Sequence, residues 1–331
     1  MEISQLFDID DKVAENISNL TIDTDTIRYV YRKIKEIINQ RGLDRARGRE
    51  LIGKYLNEDK LRSSITDFGM VTIEKGEKYN PLMLFKEDIP YGMLVDYIIA
   101  SGNLPIFNDL MVGDKKLYDG GLYDNLPINM LINKGYKDIV AIRLGSTMAP
   151  VKEVRDQSVT ITYIDPSEKP GSLLNFTNKS IRRAITLGYF DTKRIIKGYI
   201  GSKYYVIPIG DNEFYCFINR LPLSFYEECA NILGISAHFE SDRDYSLIIS
   251  EIKKLMKLDK NTTDLECALN FVEAFAEYSK IERFKVYAFG ELLDKTITSY
   301  AKTMDSDNHK YNRRVEKLKA VFDLFVKTQR K

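Results

Sequence analysis

The residues whose types and spacing point to chemistry lie in the stretch ASGNLPIFNDLMVGDKKLYDGGLYDNLP, positions 100–127. A short β-like run, KKLY, delivers Asp119 into a turn made by Gly120 and Gly121. A carboxylate held in such a turn can act as a general base or acid, taking or returning a proton at a reacting group. Aspartate before glycine is also ordinary turn chemistry, since the side chain bonds nearby backbone and glycine relaxes the steric limits on the chain. A nucleophile is harder to find. No two of the 19 glycines are four positions apart, so the chain contains no Gly-x-Ser-x-Gly elbow.

The elements that must position Asp119 follow from the hydrophobic pattern. Residues 1–62 read as helical, most clearly 27–38 (IRYVYRKIKEII), where Ile27, Val30, Tyr31, Ile34, Ile37 and Ile38 share a face. From residue 68 the runs FGMVTI and LMLF, joined by EKGEKYNP, predict a β-hairpin. A helix over 90–100, a strand at 115–118 and a helix over 126–134 come next. DIVAIRL at 138–144 is a continuous apolar run that suits a strand covered on both faces, and VTITYI at 159–164 is a further strand. Strands alternating with helices predict an α/β domain with a mainly parallel sheet. Beyond about residue 205 the stretches 222–233, 243–257, 263–279, 283–300 and 310–329 read as helices. The expected division is therefore an α/β domain over 1–205 and a helical region over 206–331.

Composition narrows the function. With 331 residues, 44% of them apolar, the chain can bury a sizeable core. Its 49 basic and 48 acidic side chains nearly cancel, so no global field recruits nucleic acid. Cys216, Cys229 and Cys267 have no metal-ligand spacing and fit a reducing compartment. His238 and His309 are isolated in sequence. No metal or cofactor is expected. The start, MEISQLFDIDDKVAEN, lacks the basic and apolar regions of a signal peptide, and no apolar run is long enough for a membrane span, so a cytoplasmic location is expected.

Taken as a set, Ala100, Ser101 and Pro105, then Asp119, Gly120 and Gly121, then Asn125 and Pro127 resemble the second half of the patatin-like phospholipase family. The order of elements from about 27 to 145 extends the resemblance. It implies a three-layer α/β/α fold and hydrolysis of a phospholipid or other acyl-lipid ester by a Ser–Asp dyad that needs no histidine. Asp119 would be the base of that dyad, Asn125 would hold the loop, and Ser101 matches a structural serine. Family members carry a glycine-rich oxyanion turn and a serine elbow ahead of this segment, and neither is present here. The resemblance therefore implies a chain truncated at its N-terminus, inactive alone, whose serine is supplied by an upstream polypeptide. Missing strands would also leave an apolar sheet edge. The alternative is a non-catalytic lipid-binding or protein-interaction scaffold on the same fold.

Other patterns compete weakly. GRELIGK at 48–54 fits Gly-x-x-x-x-Gly-Lys, but Tyr55 stands where a phosphate loop needs Ser or Thr, and no strand precedes it. Ser63 and Ser64 read as the end of a charged helix. The aromatic stretch 189–205 reads as a helix packed with the strand that follows it. The basic C-terminal helix, with Val315, Leu318, Val321, Phe322 and Phe325 as its stripe, reads as a packed helix, with peripheral membrane contact as its other use.

Overall fold

A computed structural model describes residues 45–103, 110–145, 150–154, 156–171, 177–236, 245–302 and 312–330. The helix expected at 27–38 and the residues Pro105, His238 and His309 lie outside them. The chain divides into two compact units, residues 1–188 and 189–331.

In the first unit, α1 (Arg45–Tyr55) and α2 (Glu58–Ser63) precede β1 (Gly69–Lys75) and β2 (Tyr79–Phe85). Then come α3 (Leu94–Ser101), β3 (Leu110–Val112), β4 (Lys115–Asp119), a single 3-10 turn (Gly120–Leu122), α4 (Ile128–Lys134), β5 (Asp138–Ile142) and β6 (Thr160–Ile164). GRELIGK therefore sits largely in α1, a helix, where backbone N–H groups are spent on the helix itself and cannot converge on phosphate.

The predicted hairpin forms: β1 and β2 pair antiparallel from Gly69↔Phe85 to Lys75↔Tyr79. A four-stranded sheet runs β2-β1-β4-β3. The fold is mixed α/β with a helical C-terminal region, but its strand directions depart from the parallel expectation, since every pairing in this sheet is antiparallel. Connection length explains two of the three pairings, β1–β2 and β3–β4. The β1–β2 and β3–β4 links are tight hairpin turns, which join only antiparallel neighbours; the second has Gly113 at φ +62° in its first position. Parallel pairing appears where residues 143–159 provide a crossover, between β5 and β6. The sheet packs on α3 through Met70, Leu94, Tyr97, Ala100, Val112 and Leu117. Leu94 and Leu117 are fully buried, each worth about 1.5–3 kcal/mol.

β5 is covered on one face only, contrary to expectation. Ile139 and Ala141 are 5% and 4% exposed, whereas Val140, Ile142 and Leu144 are 63%, 61% and 68% exposed. Its free edge is open as well. Thr160 N–H donates to Lys137 O and Arg143 N–H to Ile164 O, which sets the parity of the parallel ladder, so the N–H and C=O of Val140 and Ile142 point away from β6. No strand among the described residues pairs there.

α5 (Asn178–Lys197) leads into the second unit, which holds β7 (Tyr205–Val206), α6 (Asp211–Asn219), α7 (Leu223–Leu233), α8 (Ser246–Met256), α9 (Asp264–Tyr278), β8 (Val286–Tyr287), α10 (Phe289–Ala301) and α11 (Arg313–Gln329). The last five helices fall where the apolar period predicts. Thr263 and Glu266 form a capping box that starts α9. Phe225, Leu269, Leu292 and Phe322 are among the residues of one core, and Val321, Phe322 and Phe325 bury the stripe of α11 within it. Burial pushes the thiols of Cys229 and Cys267 up to about 12, leaving them inert.

Candidate active site

Strand β4 brings Asp119 to its place by alternation and anchoring. Leu117 and Tyr118 are buried, and Asp119 ends the strand opposite Thr72 of β1. Each of the three residues is held through its backbone. Asn103 Nδ2 donates to Leu117 O at 2.9 Å, Thr72 Oγ1 to Tyr118 O at 2.7 Å, and Asp119 N–H to Asn103 O at 2.8 Å. Thr72 and Asn103 are themselves buried, so these bonds are shielded from water and removing either partner strands a polar group.

The chain then turns through Gly120 and Gly121. A Cβ on Gly120 would stand 2.1 Å from Val71 O, so β1 presses its backbone against the turn and only glycine fits. A Cβ on Gly121 would stand 3.0 Å from Asn125 Oδ1 and 3.1 Å from Asp119 Oδ1. Both glycines are present for close approach rather than for positive φ. Gly121 N–H donates to Asp119 Oδ1 at 2.7 Å. Among the described residues no further hydrogen bond to the Asp119 carboxylate is seen, which leaves acceptor capacity on Oδ2. Burial pushes this half-buried carboxyl above its ordinary range, and the Gly121 N–H partly opposes the shift by stabilising the anion. A carboxylate with a free lone pair and a strengthened hold on a proton has the properties of a base at near-neutral pH.

The structure gathers Asp119, Gly120, Gly121 and Asn125 into one turn. Asn125 N–H donates to Pro150 O at 2.8 Å, which ties the turn to the segment after β5. Pro127 occupies the N-cap position of α4, where its fixed φ suits helix entry. Ser101 ends α3, its Oγ donating to Ile98 O at 2.8 Å. Ser64 caps α2 and accepts from Thr66 N–H. Three residues of this neighbourhood escape sequence reasoning: Thr72, Asn103 and Asp124. Asp124, 5% exposed, accepts from the N–H groups of Leu126 and Lys152. Only its place in the run YDN hinted at a turn role; Thr72 and Asn103 carry no local signal. Among the described residues no group of three His, Cys, Asp or Glu side chains comes together to hold a metal.

No curated protein and no solved structure matches the chain. Residues 3–132 match the family model described as patatin-like phospholipase, a span that holds Asp119 and its whole turn and stops before β5.

Proposed function

From the match of residues 3–132 to the patatin-like phospholipase family model, we propose that this chain is the Asp-bearing part of a lipid acyl hydrolase, with Asp119 as its general base. The observation that carries the reading is the half-free, half-buried Asp119 carboxylate on an anchored strand end. A serine hydroxyl attacks an ester carbonyl only as its proton leaves, and Asp119 takes that proton. The carbonyl carbon gains the serine oxygen, the alcohol departs as it receives the proton, and an acyl-serine remains. Water then repeats the exchange: Asp119 removes a water proton, hydroxide adds to the acyl carbon, and serine leaves with the proton restored.

The serine and the oxyanion donors come, on this reading, from a polypeptide outside the present sequence. The open side of β5 supports it. A cavity of about 440 Å³ lies beside that strand, walled by residues including Gly69, Phe85, Met130, Val140 and Ile142, and an added strand would bury those apolar groups and satisfy the outward backbone of Val140 and Ile142. No helix among the described residues is long and apolar enough to cross a membrane; the proposed enzyme works in the cytoplasm by peripheral contact with lipid.

The test is hydrolysis of a short-chain nitrophenyl ester by the chain alone, by the chain co-purified with the polypeptide encoded immediately upstream, and by the same pair carrying Asp119→Asn. The chain alone should be inactive and the pair active, with the substitution costing about a thousandfold or more in kcat. Serine-inhibitor-sensitive turnover by the chain alone, or full activity of the Asp119→Asn pair, would overturn the reading.

A further inference from the structure

The second unit carries an apolar groove that the proposed hydrolysis does not use. It holds about 200 Å³, and its walls include Phe271, Phe275 and Tyr278 of α9, Tyr300 of α10, and Leu318 and Lys319 of α11. Lys319 is the one charged side chain in that lining. Phe271 also walls a second cavity of about 100 Å³, enclosed by aliphatic and aromatic residues of the same helical core. An apolar space that ends on a cation, with further apolar space behind a shared phenylalanine, has the shape of a site for a chain with an anionic head.

The charges around it favour that sign. The first two turns of α11 carry Arg313, Arg314, Lys317 and Lys319 against Glu316 alone. Cations at a helix N-terminus add to the positive end of the macrodipole instead of offsetting it, so the field there attracts an anion. Arg314, next in sequence to the lining residue Val315 but not itself in the lining, has a buried Nε with no hydrogen-bond partner among the described residues. A buried guanidinium nitrogen without an acceptor is costly until one is supplied. Lys319 pairs with Asp323 at 3.4 Å, and Asp323 also accepts from Tyr300 OH at 2.7 Å. That acid is thus already engaged by two donors at the foot of the groove.

We propose that this groove binds a single-chain anionic amphiphile, an alkyl carboxylate whose tail lies along Phe271 and Phe275 and whose head meets the cationic first turns of α11. The site lies wholly within residues 189–331 and does not depend on Asp119. Titration calorimetry of the full chain with dodecanoate, kept below its micelle concentration, should show one saturable site. Ala274 lines the groove from an exposed position, so Ala274→Trp should fill it without disturbing the core and weaken dodecanoate by about tenfold or more, and dodecyltrimethylammonium, whose tail is one carbon longer, should also bind at least about tenfold more weakly than dodecanoate. Lys319→Gln should weaken dodecanoate severalfold. Undiminished binding by an Ala274→Trp chain with native circular dichroism would overturn the site, and equal affinity for the two head groups would overturn its preference for anions.

Discussion

Asp119 in the first unit and Glu273 in the second are both carboxylates set against a glycine-bearing turn, and the number of donors around each separates their uses. Glu273, 1% exposed, accepts from the N–H groups of Ser202, Lys203 and Tyr204 and from Ser202 Oγ, so both of its oxygens are occupied. Asp119 accepts from one N–H and keeps a second oxygen without a partner among the described residues. Both glycines are held by close approach, and Gly201 by a φ of +101° as well: a Cβ on Gly201 would stand 2.5 Å from Glu273 Oε1, and one on Gly120 would stand 2.1 Å from Val71 O. Tight backbone approach is thus common to both turns and does not mark a reactive acid. What distinguishes one is unspent acceptor capacity together with burial short of saturation.

Removing the saturated acid should cost the most. Glu273→Ala takes the acceptor from the backbone N–H groups of Ser202, Lys203 and buried Tyr204 and should destabilise the chain by about 3 kcal/mol or more, read as a fall in the thermal midpoint; Glu273→Gln, which keeps one acceptor oxygen, should recover part of it. Gly120→Ala comes next, at about 2–4 kcal/mol, because Val71 and the turn must separate to admit a methyl group. A midpoint unmoved by Gly120→Ala would break the comparison by showing that the β1–β4 contact yields freely.

Asp119→Asn should change stability least, and in the opposite direction. The carboxyl holds its proton more tightly folded than unfolded, so its favourable contribution is fully present below the unfolded value, near 3.8, and is lost as pH rises through the higher folded value. Asn keeps the oxygen that accepts from Gly121 and carries no charge to bury. The variant should therefore match wild type in acid and exceed it at neutral pH in urea denaturation. A variant less stable than wild type at neutral pH would show that the Asp119 anion is stabilised where it lies.

The hairpin, the order α3, β4, α4, β5, β6 and the last five helices were legible because each carries its own period or turn residues, such as Gly76 between two β-type runs and Gly135 after α4. The Asp119 turn was legible for the same reason, as a local run of Asp-Gly-Gly. Features made by distant partners were not. The bonds from Asn103 and Thr72 depend on chain segments brought together by the sheet, and β3 and the β7–β8 pair are too short to impose a pattern. The apolar run of β5 reads as a strand with two covered faces, yet cover is a property of the neighbour, and here one face has none among the described residues.

Pro81 adds a consequence for where the sheets can be extended. Lys86 N–H donating to Phe68 O fixes the alternation of the β1–β2 ladder, so Pro81, opposite Ile73, stands at a non-hydrogen-bonded position with its ring nitrogen turned outward. The outer border of β2 therefore lacks a donor in its middle and resists extension, while β5 offers an unguarded one. Growth of a fibre by strand addition needs two receptive borders, one to give and one to take. Pro81 closes one such border, whereas the outer edges of β3, β5 and β6 have no partner strand among the described residues, so strand addition is confined to those edges.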